Sequence, residues 1–172
     1  MRPSIFLVPL SIFLTGCGYS PLYAPAVGST GLAPVQVGTV AMARVEVQPG
    51  QRLVAQEVAQ RLKQAYPEAN GTTLSVEIAE STTALALERT ATVRRAEITL
   101  TGMVRLVDAA GTEQLNVSLS AVAPYNVENN PFSTESGKSF ARQIAARNLA
   151  DTIIRRVALW QRTAKAGAAP AQ

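Results

Sequence analysis

Residues 96–121, AEITLTGMVRLVDAAGTEQLNVSLSA, decide the fold. Ala96, Ile98, Leu100, Val104 and Leu106 alternate with Glu97, Thr99, Thr101 and Arg105. Leu115, Val117, Leu119 and Ala121 then alternate with Asn116, Ser118 and Ser120. Successive strand side chains point to opposite faces, so this period of two collects the apolar groups on one side and the polar groups on the other. Asp108-Ala-Ala-Gly111 between the runs is hairpin turn chemistry. The reading is an antiparallel pair that needs cover on one face only.

Upstream, Leu74, Val76 and Ile78 alternate with Thr73, Ser75 and Glu77, which adds a strand. Residues 79–93 either extend two long strands or connect them, and the pattern leaves both open. Between Gln51 and Tyr66 the period changes: Val54, Val58, Leu62 and Ala65 recur every three or four residues, while Arg52, Gln56, Gln60 and Lys63 face away. That spacing predicts an amphipathic helix, stopped by Pro67 and followed by Asn70-Gly71. Val35 to Val47 reads as a first strand region, broken near Gly38 and ended by the Pro49-Gly50 turn.

Downstream, residues 124–139 read as a polar loop, followed by a long helix to about Trp160. Ala146, Leu149, Ala150, Ile153, Val157 and Trp160 form its apolar stripe, with Arg147, Arg155 and Arg162 on the other side. Continued backwards, the stripe puts Arg142 on the core face and Phe140 and Ile144 opposite. Either the helix starts late or kinks near Ala145, or a partner covers both faces. The order β-α-β-β-β-α predicts an α+β fold, a two-layer sandwich with both helices on one face of a four-stranded, mostly antiparallel sheet.

The 172 residues are 47% hydrophobic and 16% charged. Histidine is absent, which excludes His-based triads and His-ligated metal sites. One cysteine cannot close an intramolecular disulfide. Glu68, Glu77, Glu80 and Glu88 have no paired arrangement suited to acid–base work. No enzyme, cofactor or metal is expected. Sixteen basic residues against twelve acidic ones suit an anionic partner, but without a basic block or aromatic–basic motif nucleic acid is not expected.

Met1-Arg2 and the apolar run from Ile5 to Leu14 have signal-peptide character, too short to span a bilayer. Leu14-Thr15-Gly16-Cys17 then resembles a bacterial lipobox, in which the cysteine becomes the acylated N-terminus. The competing reading is an apolar cysteine buried in an ordinary N-terminal segment. Gly18 is not a sorting aspartate, so an outer-membrane lipoprotein facing the periplasm is expected. The expected organisation is a signal peptide at 1–16, a lipidated Pro/Gly/Ser-rich tether at 17–34, one domain at 35–163 and a disordered tail at 164–172.

Three stretches carry a family resemblance. Cys17-Gly-Tyr-Ser-Pro-Leu-Tyr23, Tyr125-Asn-Val-Glu-Asn-Asn-Pro-Phe-Ser-Thr134 and Ala145-Ala-Arg-Asn-Leu-Ala-Asp-Thr-Ile153 resemble segments of the LptE family of lipopolysaccharide-assembly lipoproteins, in its alphaproteobacterial form. The resemblance implies a non-catalytic plug in the LptD outer-membrane β-barrel that assists lipopolysaccharide delivery to the outer leaflet. A lipopolysaccharide contact would need cations for its phosphates. Arg89, Arg94 and Arg95 are the densest candidates, against the plainer reading of a solvated hairpin that protects a sheet edge. Tyr125, Asn126, Pro131, Phe132, Phe140 and Ile144 are the barrel-contact candidates. An auxiliary lipoprotein of a lipid-trafficking ABC system is the alternative.

Overall fold

The computed structural model describes residues 35–43, 49–67, 71–85 and 94–167. The chain runs β1 (Val35–Met42), α1 (Pro49–Ala65), β2 (Thr72–Leu85), β3 (Arg94–Val107), β4 (Glu113–Val127) and α2 (Pro131–Gly167). The expected signal peptide, tether and Cys17 lie outside the described residues, as does Arg89.

The hairpin that opened the sequence reading pairs Leu106 with Leu115, Val104 with Val117 and Leu100 with Ala121. Ile98, Leu100, Val104 and Leu106 are fully buried on its helix-facing side. On the other face Met103 and Val122 stay exposed. The Asp108 carboxylate shapes the turn by accepting the Ala110 and Thr112 amides at 2.9 and 2.8 Å. Those bonds, the Thr112 amide first, hold its pKa below the ordinary value. Gly111 turns the chain at φ +83°, a conformation that a Cβ disfavours.

The sheet order is β1-β2-β3-β4. β2 is antiparallel to β3 from Thr73↔Val107 to Leu85↔Arg95, so β2 extends into the 79–93 stretch as far as Leu85 while β3 begins just past it, and residues 86–93 lie outside the described residues. β1 is parallel to β2, with α1 as the crossover, and its register shifts between Val37 and Val40, around Gly38. The described first strand spans Val35–Met42, and residues 44–48, where the expected strand region ended, lie outside the described residues.

Both helices lie on the apolar face, α2 over β3 and β4, α1 over β1 and against α2. Val54, Val58 and Leu62 of α1 and Leu149, Ile153 and Val157 of α2 fill the layer between. Gly102 lies under Leu149 of α2, where a Cβ would come to contact distance, 3.4 Å. The fold is the expected α+β sandwich.

Two expectations are corrected, one at each end of α2. The 124–139 loop does not exist: β4 continues to Val127, three residues connect, and α2 starts at Pro131. The helix does not start late and runs unbroken through Ala145. Asn130 caps it, its Oδ1 accepting the Phe132 amide at 2.9 Å, and Pro131 occupies the first helical position, where its missing N–H costs nothing. At the other end α2 continues past Thr163 to Gly167, through the start of the expected tail.

Candidate functional site

The two helices run in the same direction at a constant offset. Arg147 Nε donates to Glu57 at 2.9 Å and Arg61 Nε donates to Asp151 at 2.7 Å, each pair ninety residues apart. Extended along the helices, that offset sets Pro49 level with Ser139 and Ala65 level with Arg155. Since α2 is much longer, it overhangs α1 at both ends: residues 131–138, about 12 Å, and residues 156–167, about 18 Å. We call the first end the tip, where β2 ends and β3 begins. The other is the root, where β1 starts and β3 turns into β4.

The tip carries the exposed aromatic groups. Phe132 is 81% exposed and Phe140 64% exposed. By the same offset Phe140 is level with Gly50, which has no side chain to lay over it. Leu53 of α1, also exposed, lies level with Gln143 and extends the apolar patch. Ile144, expected opposite the core, is instead half-buried and packed on it. Tyr125 also packs partly on the core from the helix-facing side of β4, whereas Asn126 and Pro131 are exposed. Of the six barrel-contact candidates, Phe132, Phe140, Asn126 and Pro131 therefore present open side chains.

Beneath Phe140 the tip is held by a buried ion pair. Arg142 does sit on the core face, and its Nε donates to both Glu80 oxygens at 3.1 Å while Nη2 donates to Oε1 at 2.9 Å. The two side chains are only 7% and 4% exposed. Glu135 approaches the same guanidinium at 3.6 Å. Gly50 leaves the room, since a Cβ there would fall 2.9 Å from Arg142 Nη1. Burial of a charge requires such saturation of its donors. The Glu80 half of the pair was not recognised in the sequence, where no local signal joins residues 62 positions apart. A second latch holds the first turn: Thr134 Oγ1 accepts the Glu128 amide at 2.9 Å and donates to the Glu128 carbonyl at 3.1 Å.

Arg94 and Arg95 open β3 at the tip, both exposed, opposite Val127 and Asn126 of β4. They project to opposite faces of the sheet, Arg94 on the helix side with Ala96 and Arg95 on the open side with Glu97. Neither has an ion-pair partner among the described residues. No three His, Cys, Asp or Glu among the described residues are grouped to hold a metal.

This sandwich matches known proteins over most of its length. The family model for LptE, lipopolysaccharide assembly, covers residues 38–157. The chain belongs to the LptE family. Two solved structures share the LptE fold seen here. Rare lipoprotein B from Shewanella oneidensis is 12% identical, with a TM-score of 0.55 over 77% of this chain and 98% of that one. A protein from Caulobacter crescentus CB15 assigned as a lipoprotein is 21% identical, with a TM-score of 0.53 over 78% of this chain and 93% of that one. No curated protein matches the sequence. Membership in the LptE family makes this a lipoprotein of lipopolysaccharide assembly.

Proposed function

We propose that the protein is an outer-membrane lipoprotein, acylated at Cys17 and facing the periplasm, that plugs the LptD β-barrel and assists lipopolysaccharide delivery to the outer leaflet. It works by shape and contact, not by catalysis. The observation that carries this reading is the pair of uncovered aromatic side chains, Phe132 and Phe140, on the tip of a chain whose family acts in lipopolysaccharide assembly. An exposed aromatic ring keeps its apolar area in water until a partner covers it, at roughly 25 cal/mol per Å². Arg94 and Arg95, with Arg89 as the third candidate on sequence grounds, offer guanidinium groups to lipid A and core phosphates.

Affinity purification of the lipidated protein from detergent-solubilised outer membranes, with mass spectrometry, tests the partner. Wild type should retain a stoichiometric large β-barrel through washing. Phe140→Asp and Phe132→Asp should lower that yield severalfold while the purified variants keep the wild-type circular dichroism and melting temperature. Recovery of inner-membrane transporter components without a barrel would replace this reading with the auxiliary ABC lipoprotein. Reversal of Arg94 and Arg95 to Glu should weaken a lipopolysaccharide pull-down, and unchanged capture would remove those arginines from the site.

A further inference from the structure

The root overhang of α2 is unlike the tip. From Thr152 to the end of the sequence there is no Asp or Glu, while Arg155, Arg156, Arg162 and Lys165 supply cations. Arg155, Arg156, Leu159, Arg162 and Thr163 are all exposed. At 100° per residue they share one side of the helix, with Arg155, Leu159 and Arg162 within about 60° of each other. Leu159, 49% exposed, therefore sits among three guanidinium groups. Arg155 Nη2 donates to Thr152 Oγ1 at 3.0 Å, and none of the three arginines has a carboxylate partner among the described residues. The acids nearest this end are engaged: Asp151 by Arg61, Glu113 by Arg105 and Asp108 by its own turn.

Compensation of the helix dipole does not account for the pattern. That effect is confined to the last turn, and Arg155 and Arg156 stand three turns before Gly167. The described chain also begins at this end. Val35, the first residue of β1, is paired with Thr72, and Tyr66 next to that end donates its hydroxyl to the Ile154 carbonyl. The cationic stripe begins one residue further along α2.

We infer that the root overhang is a contact for anionic phospholipid: Arg155, Arg156 and Arg162 bind headgroup phosphates of the leaflet that holds the acyl anchor, with Leu159 between them at the interface. This rests on acylation at Cys17 but not on the barrel. Guanidinium pairs with phosphate through two parallel N–H bonds, and a helix that mixes Arg with exposed Leu lies well in a headgroup layer. Near a negatively charged leaflet, each such cation adds to a binding that salt screens. The side chain next to Leu159 is Trp160, the only tryptophan in the chain and half-buried, which gives the site its own reporter.

The test uses the native lipidated protein in vesicles of brominated phosphatidylcholine, with or without phosphatidylglycerol. Flotation and the mass of the N-terminal peptide report the anchor, and quenching of Trp160 by the bromines reports the root. Quenching should be at least about twofold stronger with phosphatidylglycerol, and should fall to the neutral-lipid level in high salt and in the R155Q/R156Q/R162Q variant. A chain that floats but shows the same quenching in both lipids overturns the inference, as does full quenching in the triple variant. A chain that neither carries acyl groups nor floats removes the anchor premise, and the inference with it. Because the three arginines are exposed, the variant should melt at the wild-type temperature, so lost quenching is read as lost contact.

Discussion

The two overhangs of α2 are continuations of one helix, yet they expose opposite chemistry. At the tip, residues 131–138 are latched to β4 through Thr134 and Glu128 and present Phe132 to solvent, with Phe140 open just behind. At the root, residues 156–167 present Arg156 and Arg162 around Leu159. Between them, where α1 lies alongside, ion pairs and the apolar core account for most side chains of α2, with Gln143 and Asn148 left exposed. The contrast separates what folding demands from what it leaves free. A solvated arginine asks nothing of a partner, but an aromatic ring in water does, so the tip is the end whose surface calls for protein cover. The helix is also held in two ways: by a buried pair near the tip and by an exposed ladder along α1.

The largest effect should come from breaking the buried pair. Arg142→Ala leaves Glu80 uncompensated at 4% exposure, and the expected loss is about 3–5 kcal/mol. Glu80→Leu with Arg142→Met removes both charges and should recover most of it, since a packed apolar pair avoids the desolvation cost. Urea unfolding of the two single variants and the double variant measures this. A single-variant loss below about 1 kcal/mol would mean that the tip is held no more tightly than the exposed ladder, and the contrast between the two modes of attachment would collapse.

A smaller effect sharpens the comparison at one end only. Asn130→Ala removes the cap of α2, with an expected cost of about 1 kcal/mol. Amide exchange should quicken across residues 131–138 and stay unchanged across 156–167. Equal quickening at both ends would show that α2 opens as one unit, without an independently latched tip.

These expectations rest on parts of the molecule that the sequence revealed unequally. The strands were legible because Ile98 to Leu106 and Leu115 to Ala121 bury one face and wet the other, which is the condition under which a period of two appears. Helix α1 was legible for the corresponding reason. The start of α2 was not, because its first turns set Thr134 against Glu128 and Gly137 against the Asn126 backbone rather than an apolar stripe into the core. Periodicity is silent where a helix buries only small and polar groups. The available signal was Asn130-Pro131, cap and first helical position, which was read as loop chemistry. For the candidate site, Phe140 stood out because it fell off the stripe. Arg142 stood out because it fell on it, although Glu80 as its partner required tertiary structure. The helix offset that sets Phe140 level with Gly50 is marked by Glu57–Arg147 and Arg61–Asp151, contacts ninety residues apart, and no local pattern encodes it.

That offset yields the smallest prediction and a direct test of the geometry on which both overhangs depend. Arg61 and Asp151 make two bonds, at 2.7 and 3.1 Å, and hydrogen bonding to Asp151 raises the Arg61 pKa, although both side chains are over one-third exposed. Solvent screens such a pair and ordering two flexible side chains opposes it, so the coupling in an Arg61→Ala, Asp151→Ala double-mutant cycle should be only about 0.2–1 kcal/mol, decreasing with salt. The Glu57–Arg147 cycle should fall in the same range, because its partners are similarly exposed at 33% and 52%. Coupling in both cycles supports the ninety-residue register in solution. Coupling in neither would leave that register to the buried contacts of Val54, Val58 and Leu62 alone.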